Sequence, residues 1–154
     1  MLGSNYLVRA EHPRPIDPKV HAALDYITVG GFLFLGWRLR HHPRAAALAC
    51  VNAAAVLAAS LLTDYPGGAA RTLTFEQHGQ LDVAQAALCV AGPALLGFAG
   101  EVAARPFYAQ AMLEGAIVSA TDFTTAGHGH NQGETSTRGR GETIYRNTPV
   151  ALDE

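Results

Sequence analysis

Four long apolar stretches limit what this chain can fold into. They cover residues 20–39, 45–63, 81–100 and 107–123. The second stretch contains no charged residue, and the third contains only Asp82. Each is close to the ~20 residues that an α-helix needs to cross a bilayer. A soluble four-helix bundle would need a charged outer face, which these stretches lack. The sequence therefore predicts an all-α fold, an integral membrane four-helix bundle.

Polar segments flank the apolar region on both sides. Residues 1–19 are polar and rich in proline, so we expect no cleavable signal peptide, and residues 124–154 are rich in Gly, Thr and charged residues. We expect a polar N-terminal segment, a transmembrane domain over 20–123 and an extended C-terminal tail. The tail has too little apolar content to fold alone, and we expect it to run along the surface of a partner. Its candidate partner-binding residues are Arg138, Arg140, Ile144, Tyr145 and Arg146.

Composition excludes several classes of function. The net charge is -2 and charged residues make up 16% of the chain, so there is no basic face for nucleic acid. Cys50 and Cys89 both lie within apolar stretches, which argues against a disulfide framework. No nucleophile–base arrangement, phosphate loop or dinucleotide fingerprint occurs, and we do not expect an enzyme.

The alternating direction of four spans brings scattered ionisable groups to one end of the bundle. The starts of the first and third helices meet the ends of the second and fourth there. The candidate residues at this end are His21, Asp25, Asp64, Tyr65, Arg71, His78, Asp82 and Asp122.

A short repeat lies within this set. HAALD at residues 21–25 matches HGQLD at residues 78–82, and an apolar stretch follows each copy. His and Asp four residues apart share one helix face, ~6 Å apart along the axis. The repeat indicates two helical hairpins related by duplication.

These motifs also carry a family resemblance. LTDYPGGAARTLTFEQHGQLDV, together with HAALDY, resembles the uncharacterised bacterial membrane proteins with SPW repeats. The matching positions are Thr63, Asp64, Tyr65, Arg71, His78 and Asp82, within a resemblance that covers about residues 20–123. The Ser-Pro-Trp triplet itself is degraded to GPA at residues 92–94. The resemblance implies four helices in two repeats and implies no activity.

Two interpretations of the paired motifs stay open. His21, Asp25, His78 and Asp82 form an adequate ligand set for Zn, Fe or Mn. Alternatively, each carboxylate accepts hydrogen bonds from a His, a Tyr or Arg71 and locks the repeats together, because polar groups buried in lipid must find partners. The sequence favours the structural lock, and predicts no cofactor beyond a possible metal ion. Haem held by His21 and His78 is disfavoured, since both lie at the mouth of the bundle, where water reaches.

Three polar residues are expected deeper in the membrane: Asn52, Gln110 and Glu114. A carboxylate in the middle of a span must face other helices rather than lipid. We expect Glu114 to bond Asn52 or another helix rather than to relay protons.

Two functions fit these observations. The first is a non-catalytic accessory subunit of a larger bacterial membrane complex, such as a respiratory or photosynthetic one, with other membrane subunits and the lipid bilayer as partners. The second is a metal- or ligand-binding membrane protein, perhaps related to redox or transport. The distribution of Lys and Arg around the spans places both termini in the cytoplasm, in a multi-pass protein of the bacterial inner membrane.

Overall fold

The fold is all-α, as the sequence predicts. A computed structural model describes residues 14–124. These form α1 (Pro18–Arg38), α2 (Pro43–Leu62), α3 (Phe75–Leu95) and α4 (Arg105–Ala120), with a 3₁₀ turn at Val102–Ala104. No strand occurs within 14–124, where only two isolated β-bridges are found. The five candidate partner-binding residues of the tail lie outside the described residues.

Side-chain caps set the starts of α1 and α3. Asp17 accepts hydrogen bonds from the backbone N–H groups of Lys19 (2.9 Å) and Val20 (2.8 Å). Thr74 and Gln77 form a reciprocal capping box. This box starts α3 at Phe75 rather than at residue 81, because a cap acts on the backbone and does not require apolar side chains. The first turns of α3 are therefore polar, and they carry His78.

The helices pack as two hairpins. α1 packs along α2, α3 packs along α4, and α2 contacts α3. The main core includes Phe32, Leu48, Cys89, Phe98 and Phe107. A smaller apolar cluster of Ala22, Tyr65, Phe75 and Phe123 lies around the starts of α1 and α3. The smaller cluster packs directly against the paired motifs, since Phe75 and Phe123 contact the His21 ring.

The repeat is visible in the backbone. Ile16 bridges to Thr121, and Leu73 bridges to Thr63. Ile16 and Leu73 each lie five residues before the His of their repeat. The accompanying bonds match: the N–H of Asp122 donates to Ile16 O (3.1 Å), and the N–H of Asp64 donates to Leu73 O (2.8 Å). The end of each hairpin is thus fastened to the start of the other.

Two of the four helices could cross a membrane by length and composition, α1 and α2. Large apolar side chains are exposed on all four helices. They include Ile27, Phe34, Trp37, Val51, Val90, Leu95, Met112 and Leu113.

Candidate metal centre

The cross-fastening of the hairpins brings the two His-x-x-x-Asp motifs together. His21 and Asp25 come from the start of α1, and His78 and Asp82 from the start of α3. One ligand atom from each lies within 4.8 Å of all the others. All four residues are buried, with at most 6% of their surface exposed. The sequence predicted this convergence from the alternation of the helices.

The imidazoles and carboxylates alternate around the centre. His21 Nε2 lies 3.2 Å from Asp82 Oδ2 and 3.5 Å from Asp25 Oδ1. His78 Nε2 lies 3.1 Å from Asp25 Oδ2 and 3.3 Å from Asp82 Oδ1. Each imidazole therefore faces one carboxylate of its own repeat and one of the other.

Two threonines fix the orientation of the imidazoles. Thr63 Oγ1 lies 2.8 Å from His78 Nδ1, and Thr121 Oγ1 lies 3.0 Å from His21 Nδ1. Each hydroxyl donates its own hydrogen to a backbone carbonyl four residues earlier, Ala59 O or Ile117 O, at 2.7 Å. The hydroxyl can then only accept from the ring, so Nδ1 carries the proton. In a neutral imidazole, Nε2 therefore presents a lone pair to the centre.

The central nitrogen of His78 has no hydrogen-bond partner. His78 Nε2 is buried, and although both carboxylates are close enough for an ion pair, neither is aligned for a hydrogen bond. The short distances alone do not make a hydrogen bond, because a hydrogen bond weakens steeply as its angle closes. A buried polar atom without a partner in the protein needs an explanation, and binding of an ion is one of the standard ones.

The two carboxylates have different surroundings. Asp25 Oδ2 accepts from the Tyr65 hydroxyl at 2.7 Å, and Ser60 Oγ, which donates to Val56 O at 2.8 Å, lies 3.4 Å from it. Burial raises the pKa of the Tyr65 phenol above its usual value, and the neighbouring Asp25 carboxylate raises it further. The equivalent of Tyr65 in the second repeat is Phe123, which has no hydroxyl. Asp82 therefore lacks the phenol that holds Asp25.

Aromatic rings enclose the imidazoles. The rings of His21 and His78 meet edge to face, with centroids 5.2 Å apart. Phe75 and Phe123 lie 5.3 and 5.4 Å from the His21 ring. Gly79 makes room for Phe123, since a Cβ there would lie 2.8 Å from the Phe123 ring. This apolar enclosure lowers the local dielectric and strengthens electrostatic interactions within the centre.

The other predicted rim residues lie outside the centre. Arg71 pairs with Asp64 at 3.7 Å, and both side chains are more than half exposed, so the pair does not reach the buried carboxylates. Asp122 accepts from the hydroxyl and the N–H of Thr124 at 2.6 and 3.0 Å. These bonds lower the pKa of Asp122. Tyr65 is the predicted rim residue that contacts the centre, through Asp25.

The predicted interior polar residues form two separate groups. Asn52 Oδ1 accepts from Gln85 Nε2 (3.2 Å) and Cys89 Sγ (3.3 Å). Glu114 accepts from Gln110 of its own helix at 3.2 Å, instead of from Asn52. The sequence predicted Asn52 as the partner of Glu114, but Gln85 and Cys89 bind Asn52 instead, because α2 packs against α3 at that depth.

Sequence reasoning missed the role of the threonines. The signal was present: Thr-Asp-Tyr at residues 63–65 recurs as Thr-Asp-Phe at residues 121–123. Each copy ends one hairpin, and each Thr binds the His of the other repeat.

Comparison of the chain with family models, curated proteins and solved structures finds no match.

Proposed function

We propose that this chain is a helical membrane protein that binds one divalent transition-metal ion through His21, Asp25, His78 and Asp82. The observation that carries the proposal is the buried, unpartnered Nε2 of His78, which faces two carboxylates with its other nitrogen held by Thr63. Two imidazoles and two carboxylates suit Zn, Fe or Mn. The threonines would serve as the outer partners that orient metal-bound histidines.

Geometry favours an ion over the structural lock. Without a cation, neutral imidazoles would turn lone pairs toward carboxylate lone pairs. Protonated imidazoles would avoid this, but each would need an aligned Nε2–H donor. His21 has one such alignment, to Asp82, whereas His78 has none. A cation at the centre uses the lone pairs of both rings and both carboxylates at once.

Charge balance supports the same choice. Two carboxylates neutralise a divalent ion, and burying an unbalanced charge is costly. The rings of His21 and His78 lie 5.2 Å apart in edge contact, which disfavours a haem between them.

Several features support the membrane placement. α1 and α2 have the length and composition of spans, and the exposed apolar side chains of all four helices would be unfavourable in water. We also propose that the protein is related to the SPW-repeat proteins that it resembles. It would lie in the bacterial inner membrane with both termini in the cytoplasm.

The accessory-subunit role is the second candidate. Its support is the exposed apolar surface of α4, where Met112 is 79% exposed and Leu113 is 54% exposed. In a complex, partner helices could cover this face, and the tail could bind a partner's surface.

Metal analysis tests the first proposal. We expect the full chain, purified without chelators, to hold about one divalent ion per chain. His78→Ala should lose it, whereas His42→Ala, a change at the exposed opposite end, should keep it. If the purified wild-type protein is folded but takes up none of Zn, Fe and Mn, the result would contradict the proposal and favour the structural lock.

A further inference from the structure

A groove lies at the end of the bundle opposite the metal centre, between the end of α1 and the connection from α3 to α4. Its larger part has a volume of about 710 Å³, and its lining includes Phe34, Arg38 and Val102. A smaller part of about 200 Å³ includes Arg44 in its lining. His42 lines both parts, so we treat them as one surface and call it the arginine groove.

Basic side chains outnumber acidic ones at this end of the bundle. Residues 34–47 and 95–108 contain one carboxylate, that of Glu101, and four arginines, which are Arg38, Arg40, Arg44 and Arg105. Glu101 lies 3.9 Å from His42 and forms no ion pair with any of the four. Within residues 14–124, the guanidinium of Arg38 makes no hydrogen bond or ion pair. The positive charge of the groove is therefore not balanced by these residues.

Exposed apolar side chains adjoin the arginines. Phe34 and Val102 line the groove, and each is more than half exposed. The ring of Trp37, which is also more than half exposed, lies 5.7 Å from the Phe34 ring. These residues stand at the end of α1, one of the two helices with the length and composition of a span. Trp and Arg at the end of a span are typical of the level of the lipid headgroups.

We propose that the arginine groove binds an anionic phospholipid, with the lipid phosphate on Arg38 and the acyl chains against Phe34 and Val102. A guanidinium suits a phosphate because its planar N–H groups can bind two oxygens at once. The surplus of arginines over carboxylates favours an anionic headgroup over a zwitterionic one. A lipid explains the apolar part of the groove, which a free phosphate would leave uncovered. The proposal rests on the membrane placement in the proposed function and is independent of the metal centre.

Trp37 reports which lipid occupies this surface, because it is the only tryptophan of the chain. The full chain is reconstituted into bilayers of phosphatidylcholine and phosphatidylglycerol in which one lipid at a time carries bromine on its acyl chains. Bromine quenches the fluorescence of a tryptophan that it contacts. We expect phosphatidylglycerol to compete for this position about fivefold better than phosphatidylcholine, the factor that one basic residue near the surface contributes. Equal quenching by the two lipids at equal mole fraction would overturn the proposal.

Two single variants of α1 place the site. Arg38→Gln removes the charge of a side chain that has no partner in residues 14–124, and the preference for phosphatidylglycerol should fall about fivefold, to near equality. Lys19→Gln, at an exposed basic residue near the other end of α1, should keep the wild-type preference. A preference that survives Arg38→Gln would also overturn the proposal.

Flotation of the same vesicles in high salt separates this proposal from the membrane placement on which it rests. A chain that leaves the vesicles contradicts the membrane placement and the lipid site together. A chain that stays with the vesicles but shows no preference for phosphatidylglycerol contradicts the lipid site alone.

Discussion

Thr63 and Thr121 are the residues that turn four side chains into a directed site. Each hydroxyl donates its hydrogen to a carbonyl of its own helix and accepts a hydrogen bond from the Nδ1–H of an imidazole in the other repeat. The sequence predicted the four ligand candidates from their spacing. It could not predict the tautomers, because these depend on which hairpin end docks against which His.

The threonine bonds give a direct prediction. The double variant Thr63→Val and Thr121→Val keeps side-chain size and removes both acceptors. We expect the affinity for Zn²⁺ to fall by about 10- to 100-fold, because the rings lose the groups that orient them. Competition with a chromogenic chelator measures it, and Thr72→Val, at an exposed hydroxyl that contacts Leu62 O, is the control. Unchanged affinity in the double variant would show that the hydroxyls do not orient the rings.

The ionisation of Tyr65 should make the stability of the fold depend on pH in the alkaline range. Its pKa is raised in the folded state by burial, while the unfolded chain ionises near the ordinary value of 10.0. The sign follows from linkage: the stabilisation is complete below the unfolded pKa and is lost as the pH rises above it. Denaturation in detergent should therefore show wild-type stability falling above about pH 10 more steeply than that of Tyr65→Phe. Parallel curves for the two proteins would contradict this assignment.

At the scale of helices and turns, the connection between α2 and α3 sets the geometry of the centre. It places Thr63 against His78 and Tyr65 against Asp25. Hydropathy predicted four helical stretches, and residues 14–124 contain four α-helices. It misplaced the start of α3, because the capping box of Thr74 and Gln77 begins the helix in a polar sequence.

Gly68 tests the rigidity of this connection. A Cβ at Gly68 would clash with the carbonyl oxygen of Thr63, so Gly68→Ala must displace the backbone that carries Thr63. We expect a loss of about 1–3 kcal/mol in unfolding free energy, together with weaker metal binding. Gly100→Ala is the matched control, since a Cβ there meets nothing within 4 Å. If both variants behave like wild type, the connection adapts and does not hold the site.

At the scale of the whole molecule, residues 14–124 form two helical hairpins with a buried polar centre at one end. The repeat spacing predicts that these hairpins are related by duplication, since His21 and His78 open equivalent helices. The arginine groove was beyond sequence reasoning, because it depends on how closely α1 approaches the connection from α3 to α4. The tail beyond residue 124 lies outside the described part of the chain, and its role stays a prediction.

Truncation tests the tail. Removal of residues 124–154 should leave the helices folded and metal-loaded, but free of partner subunits after mild solubilisation, because segments that order on binding contribute contact area without forming a core. Co-purification with partners, compared between the full chain and the truncated chain, measures it. If the truncated chain keeps the same partners in the same amounts, the helices alone carry association.

The central claim is that both imidazoles and both carboxylates surround one ion. X-ray absorption spectroscopy of the zinc-loaded full chain tests it most directly, because coordinated imidazoles give a distinct outer-shell scattering pattern. The account predicts nitrogen and oxygen ligands at about 2.0–2.2 Å, two of them imidazoles, and no sulfur. An imidazole pattern that is absent, or a sulfur shell at about 2.3 Å, would contradict it.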